Sequence, residues 1–292
     1  MRIVVIYGRK PDVNARELIL SARRQGIKAT SASILSLSAY IDREKSRFWV
    51  GEKEITDVDY CFLRSLAPGT SEQMIMRVSL MKHMEQSGIK VINPSEGFSS
   101  ARNKYLTYCI LAANGFPVPP TYITGGAAWA RRRAGDFKDF VCKPMIGSKG
   151  YGVMRFGDID LAYNAFHLLE RLGQPILVQK YFQGAGSDIR AFVIQGQVVA
   201  AMRRVSDKGE WKSNLSLGAR AEKLDLDREL CRIAVGAASC LGLNYAGVDL
   251  METEEGPIVL EVNASPGWQG IQRTTGTDIP RLLLERIVHS PD

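Results

Sequence analysis

The sequence predicts a mixed architecture: an α/β first domain built on a parallel sheet, followed by an α+β region rich in hairpins. Strand-like and helix-like segments alternate up to Asn93-Pro94, as they do where helices cover a parallel sheet. Beyond that turn-forming pair, strand runs come as neighbours joined by polar or Gly-containing turns, which is hairpin grammar. A length of 292 residues allows about two domains, each with a sizeable core.

Arg2–Tyr7 is a short apolar run ending at Gly8, the form of a buried first strand. Asn14–Arg24 places Ala15, Leu18, Ile19 and Ala22 at helical spacing. Lys28–Leu35, Tyr60–Leu63 and Lys90–Ile92 read as further strands, with a helix over Ser71–Gln86. No GxGxxG follows the first strand, so a dinucleotide site has no support. Ser95–Asn114 reads as one helical region, capped by Ser95 or Ser99 and stopped at Asn114-Gly115. Strands are expected at Thr121–Thr124, Phe140–Met145, Val153–Phe156 and Ile176–Phe182, with a helix over Leu161–Leu172. Ser187–Ile194 and Val198–Arg204 flank Gln195-Gly196 as a hairpin. Neighbouring strand residues point to opposite sides, so one of Arg203 and Arg204 is expected to face solvent. Leu226–Leu241 is an amphipathic helix, and Ile279–Val288 a packing helix at the end.

Composition narrows the class. Hydrophobic residues make up 45% and charged residues 24%, with no low-complexity tract. The first apolar run is too short for a signal peptide, and no stretch approaches a membrane span. Five cysteines without a CxxC pair suggest buried reduced thiols and a cytoplasmic setting. The histidines, His83, His167 and His289, are too scattered for zinc. A net charge of +7 favours acidic partners, but it is thinly spread. Arg131-Arg132-Arg133 reads as a solvated helix face, without the aromatic interleaving that nucleic-acid binding would want.

The most informative stretch is Gly247–Gly267. Runs over Ala246–Thr253 and Pro257–Asn263 flank Glu254-Glu255-Gly256, a three-residue hairpin loop with Gly256 in the left-handed position. Thr253 then pairs with Pro257, and counting back sets Asp249 opposite Glu261, with Asn263 on the same face. Two carboxylates and an amide oxygen are an all-oxygen set that Mg²⁺ accepts. Directly opposed carboxylates repel unless a cation lies between them. The plainer reading is the polar outer face of a hairpin. A second signal is Gly147-Ser-Lys-Gly-Tyr-Gly152, where Gly147, Gly150 and Gly152 allow close backbone approach to a phosphate and Ser148 can assist. A mobile turn has the same composition. Lys143 just upstream and Lys104 earlier favour a nucleotide site.

The colinear series of lysine in a helix, lysine in a strand, Gly-rich loop, Asp188-Ile-Arg, Arg203-Arg204, Ser213-Asn214 and Asp249…Glu261-Val-Asn resembles the ATP-grasp superfamily, and within it the RimK-type α-L-glutamate ligases. The likeness runs from Asn93 to Val288 and is strongest over Gly184–Arg204, Lys212–Gly218 and Ala246–Thr277. It implies a pre-ATP-grasp domain at 1–93, a central subdomain with the Gly-rich lid at 94–183, and a C-terminal subdomain with the metal hairpin at 184–292. By position it implies that Lys104, Lys143 and the loop with Lys149 contact ATP phosphates. Lys180-Tyr181 would line the adenine and Asp188 the ribose, with Lys212-Ser213-Asn214 at the nucleotide edge. Asp249, Glu261 and Asn263 would hold Mg²⁺ or Mn²⁺. Lys180 stands where the family commonly has an acidic residue.

The reaction so implied is amide formation: a carboxylate attacks the γ-phosphate of ATP, and the amine of L-glutamate then displaces phosphate. Arg203 or Arg204 would grip the phosphoryl group in transfer. No enzyme nucleophile is needed, and no Ser-His or Cys-His arrangement offers one. The acidic acceptor is left open between a protein tail and a small pterin or deazaflavin cofactor. Two other classes remain in view, a non-catalytic nucleotide-binding module and a basic RNA-associated protein. Self-association into a homo-oligomer is left open.

Overall fold

The computed structural model describes residues 1–147, 150–182, 186–206 and 220–289. The chain opens with β1 (Arg2–Tyr7), α1 (Val13–Arg24) and β2 (Lys28–Ser33). A small antiparallel sheet of β3 (Leu37–Ile41), β4 (Ser46–Val50) and β5 (Lys53–Glu54) comes next. Then follow β6 (Tyr60–Leu63), α2 (Ser71–Gln86) and β7 (Lys90–Ile92). Strands β2, β1, β6 and β7 pair in that order, all parallel, as the β-α-β alternation predicts. The small sheet is absent from the sequence reading. Its hairpin turns on Asp42, whose Oδ1 accepts from the backbone N–H of Glu44 and Lys45 at 2.8 and 2.9 Å, inside a stretch too charged to read as strand.

The expected helix over Ser95–Asn114 is two: α3 (Ser95–Arg102) and α4 (Lys104–Ala113). Neither Ser95 nor Ser99 caps the first, which Pro94 enters without a side-chain cap. Asn103 is the break. Its backbone is extended, and its side chain accepts from Leu106 N at 3.1 Å, starting α4 afresh. Lys104 is thereby the first residue of α4 rather than a mid-helix side chain.

The central elements are β8 (Thr121–Thr124), α5 (Ala127–Ala134), β9 (Phe140–Lys143), β10 (Met154–Phe156), α6 (Ile159–Arg171) and β11 (Ile176–Lys180). Their antiparallel sheet runs β10-β9-β11-β8 and keeps its own core, in which Phe140 and Phe166 pack on the alanines of α5. Arg131-Arg132-Arg133 ends α5, and Arg131 pairs with Asp160 at the surface.

The last part holds β12 (Ser187–Ile194), β13 (Gln197–Val205), β14 (Arg220–Lys223), α7 (Arg228–Cys240), β15 (Tyr245–Thr253), β16 (Gly256–Asn263), α8 (Gln269–Thr275) and α9 (Ile279–Ile287). Its five strands run β14-β13-β12-β15-β16, all antiparallel. Gln195 and Gly196 join β12 to β13 at φ 44 and 68, the left-handed pair a two-residue hairpin demands. Two large cores tie this sheet to the first one: Val4 and Leu63 share a core with Val248 and Val262, and Val5 and Phe62 share another with Tyr245 and Trp268. Among the described residues no helix is long and apolar enough to cross a membrane.

The hairpin of β15 and β16 corrects one expectation and keeps its consequence. Thr253 pairs with Gly256, not Pro257, so the loop is the two-residue Glu254-Glu255. That shift alone would move Asp249 off Glu261. A bulge then leaves Leu260 unpaired between Val259, opposite Leu250, and Glu261, opposite Asp249. The slip and the bulge cancel.

Candidate active site

A pocket opens between the central sheet and the five-stranded sheet, bounded by β9, β11 and the Gly-rich loop on one side and by β12, β13, β15 and β16 on the other. Of the residues singled out in the sequence, Lys104, Lys143, Gly147, Gly150, Lys180, Tyr181, Asp188, Arg204, Asp249 and Glu261 line it. Arg203 and Gly152 lie outside its lining, and Asn263 opens with Glu261 onto the adjoining pocket. Ser148, Lys149, Lys212, Ser213 and Asn214 fall outside the described residues.

Strand register builds the acidic wall. Asp188 is opposite Arg204, Arg190 opposite Asp249, and Asp249 opposite Glu261, so alternation brings these side chains to one face. Arg204 donates through Nε and Nη2 to the two carboxylate oxygens of Asp188, the second at 2.8 Å. Its Nη2 is also 3.0 Å from Asp249 Oδ1, and Arg190 Nε is 2.8 Å from the same oxygen. Burial works to lower the Arg204 pKa, but Asp249 and Asp188 outweigh it and hold the guanidinium above its ordinary value. Arg203 turns the other way and pairs with Glu252 at 2.8 Å on the half-exposed side. Of the two candidates for gripping phosphate, Arg204 is the one in the pocket.

Lys104 supplies the opposite wall. Its Nζ donates to Glu261 Oε1 at 2.9 Å and to the Gly147 carbonyl at 3.0 Å, tying α4 to the hairpin and to the Gly-rich loop. Lys143 donates to the Tyr108 hydroxyl at 2.9 Å, and that hydroxyl donates to the carbonyl of the bulged Leu260 at 2.7 Å. At the far end, Lys180 reaches Glu255 of the hairpin loop at 2.6 Å, and its ammonium sits 4.7 Å from the Phe182 ring. The backbone N–H groups of Lys180 and Tyr181 donate to the Pro120 and Asp139 carbonyls at 2.9 and 3.0 Å, which locks the linker. Arg155 stacks 3.9 Å over the Tyr181 ring. Gly150 and Gly152 take φ 72 and 75, backbone that L side chains rarely adopt.

The donor set fits a hard divalent cation. Asp249 Oδ1 is buried between two arginines yet accepts an aligned hydrogen bond from neither. Glu261 is half-buried beside it. These are oxygen donors, with no sulfur or imidazole among them. Among the described residues no group of three His, Cys, Asp or Glu side chains makes a metal centre unaided, so the amide of Asn263 or groups of a bound nucleotide would complete the shell. The pair is not left repelling. Asp249 has its arginines and Glu261 has Lys104, which overturns the premise that the two carboxylates strain each other without a metal.

Arg190 and Tyr108 are the residues missed in the sequence. Arg190 had a signal: it follows Asp188 by two, so it must share that face. Gly247 makes room for it, since a Cβ there would fall 2.4 Å from Arg190 Nη1 and 2.7 Å from Pro266 Cβ. Tyr108 gave no signal, because nothing local tells a core tyrosine from one that props a lysine.

A basic and acidic pocket clasped between two antiparallel sheets, beside a parallel sheet, is the ATP-grasp architecture. Residues 101–287 match the RimK-like ATP-grasp domain, and the chain belongs to that family. It is 35% identical over 247 residues to the tetrahydromethanopterin:α-L-glutamate ligase of Methanocaldococcus jannaschii, a match covering 80% of each chain. It is 32% identical over 297 residues to the probable α-L-glutamate ligase of Aliivibrio fischeri, covering 98% of this chain and 95% of the relative. The fold is that of the ATP-grasp ligase PsnB, solved with a phosphomimetic variant of its minimal precursor, Mg and ADP. That structure has a TM-score of 0.79 at 23% identity and covers 98% of this chain and 97% of that one. The chain is an enzyme, an ATP-dependent ligase of this family.

Proposed function

We propose that the protein joins the amine of L-glutamate to the carboxylate of an acidic acceptor through an acylphosphate, releasing ADP and phosphate. One observation carries this reading: Asp249 and Glu261 face each other across the hairpin, ringed by Lys104, Arg190 and Arg204, at the end of the pocket closed by the Gly-rich loop. Such a site accumulates positive charge where a phosphoryl group and two carboxylates must meet.

In this reading Lys104, Lys143 and the 147–152 loop hold the phosphates of ATP, Lys180-Tyr181 border the adenine, and Asp188 borders the ribose. The family resemblance assigns Lys212-Ser213-Asn214, which lie outside the described residues, to the nucleotide edge. Mg²⁺ or Mn²⁺ on Asp249, Glu261 and Asn263 would neutralise the phosphate oxygens. Arg204, fixed by Asp188, offers its guanidinium to the transferring group without having to reorganise. Arg190 stands beside it with Nη1 buried and without a hydrogen-bond partner among the described residues, a donor for a developing oxyanion. Because the acyl group is activated by phosphate, the chain needs only to orient the reactants and exclude water.

The acceptor is either a small cofactor of pterin or deazaflavin type or an acidic protein tail, and the name of the Methanocaldococcus jannaschii relative favours the first. The test is mass spectrometry of a metabolite and peptide pool incubated with enzyme, Mg-ATP and heavy glutamate. One product class heavier by a glutamyl residue, with ADP in equal amount, is expected. Release of AMP and pyrophosphate would mean adenylation and sink the acylphosphate.

A further inference from the structure

Beside the nucleotide pocket lies a second one that shares its Gly147 and Glu261 wall. Its other sides are the Ser65–Gly69 loop after β6, the last turn of α3 with Ala101 and Arg102, and Asn263–Ser265. The loop is fixed in advance. Arg77, buried in α2, donates through Nη1 to the carbonyls of Leu66, Ala67 and Pro68 at 2.7, 3.3 and 3.2 Å. Ala67 is held at φ 56, a conformation that persists only where the surroundings impose it and that gathers at functional sites. Ser265 Oγ donates to the Arg64 carbonyl at 2.7 Å, pinning the opposite side to the same strand end.

Among the described residues, the cations around this pocket are engaged, with one exception. Lys104 holds Glu261 and Gly147. Arg64 donates to the Tyr245 hydroxyl and the Pro266 carbonyl and covers the Trp268 ring. Arg102 lines the pocket half-buried, with no hydrogen bond or ion pair among the described residues. Burial lowers its pKa and no carboxylate raises it. A guanidinium withdrawn from water without an anion is costly, and its planar fork matches a carboxylate.

We propose that this second pocket receives the incoming amino acid, with Arg102 gripping one of its carboxylates and the amine directed at the shared Gly147–Glu261 wall. The assignment rests on the glutamate-ligase reading above and adds the seat of the amine substrate and its specificity-determining residue. The carboxylate to be activated would meet the nucleotide on one side of that wall, and the amine would approach its acylphosphate from the other, with phosphate leaving. Met74, Phe98 and Ile146 add apolar surface to the lining.

The test titrates L-glutamate calorimetrically into protein saturated with Mg²⁺ and a non-hydrolysable ATP analogue. Wild type should bind. Arg102→Ala should weaken L-glutamate about thirtyfold or more, the usual loss when one partner of a desolvated charge pair is removed, and Arg102→Lys should fall between. Uptake of the ATP analogue by each variant reports that it is folded. If Arg102→Ala does not take up the analogue, Arg102→Lys decides, and a glutamate affinity equal to wild type overturns the assignment. L-glutamine separates the two carboxylates: a wild-type preference for glutamate that vanishes in Arg102→Ala puts the side-chain carboxylate on Arg102, and an equal loss of both ligands puts the α-carboxylate there. Equal L-glutamate affinity in wild type and Arg102→Ala overturns the pocket assignment and leaves the ligase reading standing. A wild type that takes up the analogue but not L-glutamate removes glutamate as donor, and this assignment with it.

Discussion

The two carboxylates of the hairpin are directly paired in one sheet but lie in unlike surroundings. Asp249 lies in a closed corner, 5% exposed, woven with Asp188, Arg190 and Arg204. Glu261 lies in an open corner, its side chain 27% exposed and met by Lys104 alone among the described residues' ion pairs. The closed corner is interdependent, since every charge in it relies on another for compensation. The open corner can exchange a lysine for a metal or a phosphate at modest cost. Stability should therefore respond chiefly to the closed corner, while turnover responds to both, since both corners line one pocket.

The largest effect is expected in the closed corner. Arg204→Ala removes the guanidinium that meets both Asp188 and Asp249, and breaking a buried pair costs about 3–5 kcal/mol. Urea denaturation should show the midpoint falling with little change in slope; an unchanged midpoint would mean that the corner is not interdependent. In the open corner Glu261→Gln should separate the two readouts. Turnover should drop about 10²–10³-fold as a ligand and a fixed charge are lost, while stability moves by about 1 kcal/mol or less, because Lys104 keeps the Gly147 carbonyl. Near-normal activity at saturating Mg²⁺ would remove Glu261 from the metal set. Gly247→Ala sharpens the contrast, for the new methyl must displace Arg190 or Pro266. Overpacking of this kind costs about 1–3 kcal/mol, and both readouts should fall together.

How much of this was legible follows from how local each signal is. The Asp249–Glu261 pairing could be read from alternation, although the count went through a loop one residue too long and was rescued by a bulge that no residue pattern announced. The parallel first sheet was legible because β1 and β6 are compact apolar runs and helices alternate with the strands, although β2 is mostly polar. The Leu37–Glu54 sheet was not, since its turn is made of charged residues hydrogen-bonding to their own backbone. The two-helix break at Asn103 was readable in principle, an Asn being a strong cap, but the flanking apolar spacing masked it. Arg190 needed only the period of two that had already been applied to Arg203 and Arg204. Tyr108 and Arg102 required three dimensions: one props Lys143 from a helix, and the other is distinguished by what it fails to touch.

The smallest effect belongs to Arg203, and it tests the comparison by contrast with its neighbour. One residue away from Arg204 on β13, it projects from the other face and pairs with Glu252, whose side chain is half-exposed. Exposed pairs of this kind contribute about 0–1 kcal/mol and weaken with salt. Arg203→Ala should therefore leave the denaturation midpoint and kcat within roughly twofold of wild type, with any residual difference disappearing at high ionic strength. A kcat loss approaching that of Arg204→Ala would show that the chemistry reaches through the sheet to its outer face, and the choice of Arg204 over Arg203 as the phosphate-contacting arginine would have to be abandoned.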